Sequence, residues 1–345
     1  MGGVVAQRRW GIGVKLGVSA AATLAVLFAL ETGARVLGLP SRAFVVPTAT
    51  NCLQRSRTLG MELAPNCSAT WTDAALSGHD ATTFHTNALG LRDSDIEDDG
   101  ATRILALGDS CTWGWQVAQD ETYPHELQQL LNEQYGARRY RVINAGAPGY
   151  TSYQGLTFLR DTGLQLHPAI VIIGFGFNDA SRLPDIEMSI ARQRALFPLI
   201  RVDDTLLAHS RLWQWLRTRF GPAATNALDR SAWSSFPARA LADMPSQPTV
   251  RVPPAQFLRN LTAIVALCRA HGVKPILLSF AGEPRKGHPY ADAIGKVATG
   301  MDVPLVIYGG PRIDVVHPTR DGYAALSAAI LARLQSAGYV PVVNE

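Results

Sequence analysis

The triplet Gly108-Asp109-Ser110 follows directly on the apolar run Ile104 to Leu107, the place where an α/β protein mounts a nucleophile. A serine hydroxyl attacks poorly until a base takes its proton, so Ser110 needs a partner elsewhere in the chain. Asp314-Val315-Val316-His317 offers one. An imidazole titrates near neutrality, so His317 can take the Ser110 proton and later hand it to a leaving alcohol. Asp314 can fold back through a tight turn to hold the other ring nitrogen and fix the tautomer, a role worth about 10⁴ in rate in serine proteases. Charge developing on a tetrahedral oxyanion needs donors already in place. The Ser110 amide, the Gly149 amide and the Asn178 side chain can supply three, each worth on the order of 10² to 10³ in turnover. Gly149 also lets the backbone approach a substrate with no Cβ in the way. Gly146 is an alternative donor, or a residue that serves the turn alone. Asp179 reads as a loop holder through local hydrogen bonds, and Asp321 as an acidic residue that favours the first turn of the last helix.

These residues have to be brought together by the elements between them. Candidate strands are Ile104 to Leu107, Arg141 to Ile143, Ile170 to Ile173, Pro275 to Ser279 and Pro304 to Tyr308. Between and after them the helical patterns are Tyr123 to Tyr135, Ser152 to Asp161, Pro254 to His271, Pro289 to Thr299 and Arg320 to Ser336. Strands alternating with helices imply a parallel sheet covered on both faces, with ligands bound beyond the carboxyl ends of the strands. Ser110 follows the first strand, Gly149 the second, Asn178 the third and His317 the fifth, so all four gather along one edge. Taken singly, each motif has an ordinary reading. Gly-Asp-Ser is a turn with a helix cap, Asp-x-x-His is a surface turn, and Gly174-Phe175-Gly176 lacks the third glycine of a dinucleotide loop. Their convergence favours catalysis.

Gly108-Asp109-Ser110, Ala147-Pro148-Gly149-Tyr150-Thr151-Ser152, Gly176-Phe177-Asn178-Asp179 and Asp314-Val315-Val316-His317 resemble, in order, the four sequence blocks of the SGNH, or GDSL-type, hydrolase superfamily, in its membrane-anchored bacterial form. The resemblance covers about residues 103 to 337. It implies a flavodoxin-like three-layer α/β/α fold that hydrolyses, or sometimes transfers, acyl groups on lipids, thioesters and carbohydrates. It also implies Ser110 as the nucleophile, Asp314 and His317 as the rest of a triad, and Ser110, Gly149 and Asn178 as the oxyanion hole.

The chain has 345 residues, 47% of them hydrophobic, which suffices for one large domain with a sizeable core and a smaller appendage. The net charge of +4 is scattered, with no basic stripe for phosphates, which argues against a nucleic-acid partner. No Cys or His spacing suits a metal, and no cofactor is expected. Arg8, Arg9 and Lys15 precede the uncharged stretch Leu16 to Leu30. Counted from Trp10 the segment reaches about 20 residues, the length of a bilayer span. Glu31-Thr32-Gly33-Ala34 provides no convincing small-x-small cleavage site, which favours an uncleaved anchor over a signal peptide. The positive charges keep the start in the cytoplasm and export the rest. In an oxidising compartment Cys52 and Cys67 pair, or else remain two thiols, with pairing slightly favoured and worth about 3 kcal/mol. Cys111 and Cys268 read as small buried residues.

Three parts follow: an anchor at 1–40, a juxtamembrane segment at 41–100 that packs on the main domain, and a hydrolase domain at 101–340 with an insertion at about 180–253. In the second part Thr86 to Asp93 has turn chemistry that brings a short strand to the sheet edge or to the site rim. Within the insertion, Leu206 to Phe220 carries an apolar stripe through Leu212, Trp213, Leu216 and Phe220, with Arg211, Arg217 and Arg219 interleaved. It is either a lid or membrane-surface helix, or a helix packed on the domain. Ser231 to Pro248 reads as a mobile loop. Trp113 and Trp115 either wall an acyl pocket or pack in the core.

The leading functional expectation is an exported, membrane-anchored serine esterase acting on acyl esters, acetyl foremost, of carbohydrate or lipid. The alternatives are an O-acyltransferase that modifies an exported polysaccharide together with a membrane-bound acyltransferase partner, and a non-catalytic carbohydrate-binding scaffold.

Overall fold

Strands whose central residues are mostly Val, Ile, Leu and Ala, buried on both faces, have no polar face to show to water, so the sheet they form must be covered on both sides. The computed structural model describes residues 11–39, 52–71, 82–182, 185–195, 209–220, 250–284 and 288–342. After the N-terminal helix Ile12–Val36 come two short antiparallel hairpins, β1 (Leu53–Ser56) with β2 (Gly60–Leu63), and β3 (Ser68–Trp71) with β4 (Thr82–His85). Five parallel strands follow: β5 (Thr102–Gly108), β6 (Tyr140–Gly146), β7 (Ile170–Gly174), β8 (Lys274–Ser279) and β9 (Leu305–Ile307). Their order across the sheet is β6-β5-β7-β8-β9, the doubly wound arrangement of flavodoxin-like folds. The chain goes from β5 to one neighbour, β6, and then crosses to the other, β7. The carboxyl ends of β5 and β7 therefore flank a crevice that no connection covers.

Alternation along the strands divides the core in two. Leu105, Leu107, Ile143, Val171, Ile173 and Leu277 face the helices Ser152–Asp161, Pro254–Ala270 and Pro289–Gly300. Ile104, Ala106, Val142, Ile170, Ile172, Ile276 and Leu278 face Tyr123–Tyr135 and Arg320–Ser336. The result is three layers, α/β/α, in which each fully buried Ile or Leu contributes roughly 1.5–3 kcal/mol. Capping sets the helix starts. Thr319 accepts the Gly322 amide at 3.1 Å, and the Gln154 side chain reaches back to the Thr151 amide at 3.0 Å.

The chain separates into two units, Met1–Val46 with Pro198–Asp229, and Pro47–Phe197 with Arg230–Glu345. In the first, the helix Ile12–Val36 is long and apolar enough to cross a membrane, with a mean hydropathy of 1.9. A signal sequence has the same length and composition. Near its end Glu31 accepts the Arg211 and Leu212 amides, at 3.0 and 2.9 Å, and so caps the helix Arg211–Phe220. The amphipathic stretch of the insertion is thus held by the N-terminal helix, a partner absent from the alternatives weighed on sequence. The expected loop Ser231 to Pro248 lies outside the described residues.

In the second unit, the described residues before β5 form more structure than their composition suggests. Cys52 and Cys67 form a disulfide with Cα atoms 5.6 Å apart, while Cys111 and Cys268 are buried thiols. Leu59 and Leu91 join the core, and Met61 receives a hydrogen bond from the Tyr150 hydroxyl at 3.0 Å. Thr86 to Asp93 forms no strand. Asn87 Oδ1 accepts the Leu89 and Leu91 amides at 2.9 and 3.0 Å, because a short carboxamide closes such a turn better than a ladder does. The segment meets the sheet edge through a side chain instead: Asp93 accepts the Asn144 amide of β6 at 3.0 Å.

Arg92 is buried beneath the turn that follows β5. Its guanidinium donates to the carbonyls of Trp113, Gly114 and Val117 at 3.0, 2.5 and 2.6 Å and lies over the Trp113 ring, 4.2 Å from its centroid. Burial lowers its pKa to about 10, so it stays charged at neutral pH. Replacing Arg92 by Met removes the donor to the Gly114 and Val117 carbonyls, while the Trp113 carbonyl keeps the Asn144 side chain at 3.2 Å, and is expected to lower the unfolding free energy by about 2–4 kcal/mol in urea titrations. A change within about 0.5 kcal/mol would show that the carbonyls find other donors.

Candidate active site

The turn after β5 has no room for ordinary side chains. A Cβ on Gly108 would meet Thr112 Oγ1 at 2.1 Å and the Gly174 carbonyl at 2.7 Å. The backbone can therefore pass directly into the short helix Ser110–Trp113, whose first turn is capped by Asp109 Oδ1 on the Cys111 amide at 2.9 Å. This presents Ser110 at the carboxyl edge of the sheet. Ser110 Oγ lies 2.8 Å from His317 Nε2, and His317 Nδ1 lies 2.6 Å from Asp314 Oδ2. With Nδ1–H donated to the carboxylate, Nε2 is left to accept the serine proton.

The loop carrying Asp314 and His317 is closed on itself. Arg312 and Pro318 form a β-bridge, and the Ile313 amide donates to the His317 carbonyl at 2.8 Å. Asp314 Oδ1 accepts the Val316 and His317 amides at 2.8 Å each. Burial works to raise the Asp314 pKa, but the hydrogen bonds and the facing imidazole win and hold it at about 2. On its outer side the His317 ring stacks with Trp115, with centroids 5.6 Å apart and planes at 27°. Trp113 instead belongs to the core, edge-on to Phe84 at 4.9 Å.

Ala147-Pro148-Gly149-Tyr150 is a type II turn, closed by the Tyr150 amide on the Ala147 carbonyl at 3.1 Å, with Gly149 at φ 76°. Among the described residues neither the Gly149 amide nor the Ser110 amide has an acceptor. Gly146 is placed differently. Its amide donates to Asn144 Oδ1 at 3.1 Å, and a Cβ there would lie 2.3 Å from the Trp113 nitrogen, so it serves close packing of the nucleophile helix on β6. Asn178 sits in the short helix Phe177–Ala180 after β7, one N–H of its carboxamide on Asp109 Oδ2 at 3.2 Å and the other without an acceptor among the described residues. Burial raises the Asp109 pKa to about 6, against hydrogen bonds from Cys111 and Asn178 and the attraction of His317.

The structure thus brings Ser110, His317 and Asp314 into one hydrogen-bonded line, with the Gly149 turn and Asn178 on loops of the same sheet edge. Asp179 departs from expectation. It reaches across to the next loop, where Oδ1 accepts the Ser152 amide at 2.9 Å and its hydroxyl at 2.6 Å. Asp179 is fully buried, and there Ser152 supplies two donors to one oxygen. Asp321 lies in the first turn of the last helix, as expected. Sequence reasoning passed over Asp109, although it stands inside the motif, and Arg251, whose irregular surroundings give no periodic signal. Among the described residues no group of three or more His, Cys, Asp or Glu side chains is arranged to hold a metal.

A family model described as the GDSL-like Lipase/Acylhydrolase family matches residues 106–325. No curated protein matches the sequence. Similar solved structures include the psychrotrophic esterase EstA from Pseudoalteromonas sp., at 15% identity and a TM-score of 0.42, covering 69% of this chain and 100% of its own. The lipase/acylhydrolase from Enterococcus faecalis has 17% identity and a TM-score of 0.42, with 70% and 99% covered. A GDSL-like lipase from Bacteroides thetaiotaomicron has 19% identity and a TM-score of 0.38, with 68% and 89% covered.

Burial also raises the Asp179 pKa, from 3.8 to about 7, against the Ser152 hydrogen bonds and the charge of Arg251. Between those values the folded state keeps a proton that the unfolded chain has released, so stability falls as pH rises from about 4 to about 7. Asp179→Asn is expected to lessen that fall, read as the urea midpoint at both ends of the range. An unchanged slope would assign the fall to other groups.

Proposed function

The chain belongs to the GDSL-like lipase/acylhydrolase family, and on that premise we propose that it is a serine esterase working through an acyl-enzyme on Ser110. The observation that carries this reading is the hydrogen-bonded line from Ser110 Oγ through His317 to Asp314, at 2.8 and 2.6 Å. Ser110 Oγ attacks the acyl carbon while its proton passes to His317 Nε2. The Asp314 carboxylate opposite stabilises the imidazolium so formed. The oxyanion is held by the Ser110 and Gly149 amides and by the free N–H of Asn178, donors fixed before the charge appears. Collapse expels the alcohol, which leaves with the proton from Nε2. Water then repeats the sequence on the acyl-enzyme, releasing the acid and restoring the serine.

The substrates in this proposal are acyl esters, acetyl foremost, of carbohydrate or lipid outside the cytoplasm. Support for the location comes from the apolar helix Ile12–Val36, preceded by Arg8 and Arg9, which suits a retained anchor with the catalytic layers exported. The disulfide between Cys52 and Cys67 suits an oxidising compartment.

Ser110→Ala is expected to abolish hydrolysis of p-nitrophenyl acetate, and a fluorophosphonate is expected to label the wild type at Ser110 and nowhere else. The mass of the labelled peptide reads this directly. Full activity in the variant, or an unlabelled Ser110, defeats the proposal. Asp314→Asn is expected to leave labelling detectable but to lower kcat by about 10⁴-fold, through loss of the reactive tautomer.

A further inference from the structure

Arg251 is a buried cation to which the mechanism assigns no part. It stands where the insertion rejoins the sheet-bearing layers, and its backbone is tied to the stretch just beyond Asn178. The Arg251 amide donates to the Ser181 carbonyl at 3.0 Å, its carbonyl accepts the Ile186 amide at 3.0 Å, and the Val252 amide donates to the Asp179 carbonyl at 3.1 Å. The Tyr290 hydroxyl closes the clasp on the Val252 carbonyl at 2.8 Å. From this position the guanidinium crosses to the neighbouring loop and donates to the Gly149 carbonyl at 2.7 Å. Asp179 makes the same crossing through Ser152, whose hydroxyl also receives the Asn260 side chain at 3.0 Å.

A glycine at positive φ gives a turn its close approach, and it also gives the turn freedom to rotate the next peptide. The carbonyl that Arg251 grips belongs to that next peptide, whose N–H the Ala147 carbonyl already holds; the two bonds together pin the Gly149 Cα that carries the donor amide. We propose that Arg251 is a positioning residue for the oxyanion hole: anchored to the Asn178 segment and bonded to Gly149, it sets the separation of these two donors. An arginine suits the task because a rigid fork on a long stem holds its direction, and where Asp179 is ionised its carboxylate offsets the burial of the charge. The inference rests on the reading of Gly149 and Asn178 as oxyanion donors.

The test uses the full-length protein in detergent, with kcat and KM on p-nitrophenyl acetate for the wild type, Arg251→Met, Arg251→Ala and Asn178→Ala, and near-UV circular dichroism as the check of folding. Arg251→Met is expected to lower kcat on the order of 10- to 10²-fold, with KM changed by less than about 2-fold. In Arg251→Ala, guanidinium ion at millimolar concentration is expected to restore kcat several-fold, and methylammonium is expected to restore nothing. The rescue shows that the acting group is the guanidinium rather than charge alone, and the kcat-against-KM split with an unchanged near-UV spectrum separates positioning from a structural role. A kcat within about 2-fold of wild type in Arg251→Met, or equal response to both cations, overturns the proposal. Asn178→Ala separates the two levels. If it keeps the wild-type kcat, the oxyanion reading itself has failed; if it loses about 10²-fold while the Arg251 variants do not, only the role of Arg251 is lost.

Discussion

Asp109 stands between the nucleophile turn and the Asn178 turn, with Oδ1 on the Cys111 amide and Oδ2 on the Asn178 carboxamide. Both bonds are made inside the protein, where a carboxylate is costly to ionise, and its pKa rises to about 6 accordingly. A carboxylate in this place does what a neutral cap cannot. It starts the helix that presents Ser110, orients the side chain from the next loop, and attracts His317 electrostatically. The close approach of β5 to its neighbours, with a glycine at Gly108 and another at Gly146, is what allows one side chain to reach all of these.

Two buried arginines extend the same arrangement outward. Arg92 gathers the carbonyls that end the nucleophile helix, and Arg251 takes the carbonyl of the Gly149 turn. Each acts on backbone oxygens. A loop that must stay open to a substrate cannot bury its own carbonyls in a ladder, so a guanidinium from a distant segment satisfies them from behind. The donors come from outside the five-stranded sheet, one from the segment between the hairpins and β5, the other from the end of the insertion.

Much of this architecture was legible in the chain. The expected helices Tyr123 to Tyr135, Ser152 to Asp161 and Arg320 to Ser336 are observed with those ends, and the strand patterns differ from the observed strands by a few residues. Long amphipathic and apolar periods carry such information because burial on a face repeats along the element. The hairpins β1–β2 and β3–β4 left no comparable trace. Each strand has four residues, too short for a period to emerge from Thr, Ser and Gln. Glu31 similarly gave no hint that it caps a helix far along the chain, since a carboxylate near the end of an apolar span looks like any other charge there.

The sequence by itself determined the layers and the order of the motifs. Apolar strands alternating with amphipathic helices can be buried in few ways, and a doubly wound sheet sends every loop that follows a strand to one edge. It also determined the residue types that could act there, including Ser110, Asn178, Asp314 and His317. Only the tertiary structure decided what each contacts. Gly146 went to packing while the Gly149 amide was left without an acceptor among the described residues, Asp179 reached Ser152 rather than its own loop, Trp115 lay on His317 while Trp113 entered the core, and Arg251 took hold of a carbonyl 102 residues away. The reason is range. Periodicity records which face of an element is buried, whereas a hydrogen bond in a loop depends on which donor from another part of the chain arrives within about 3 Å of it.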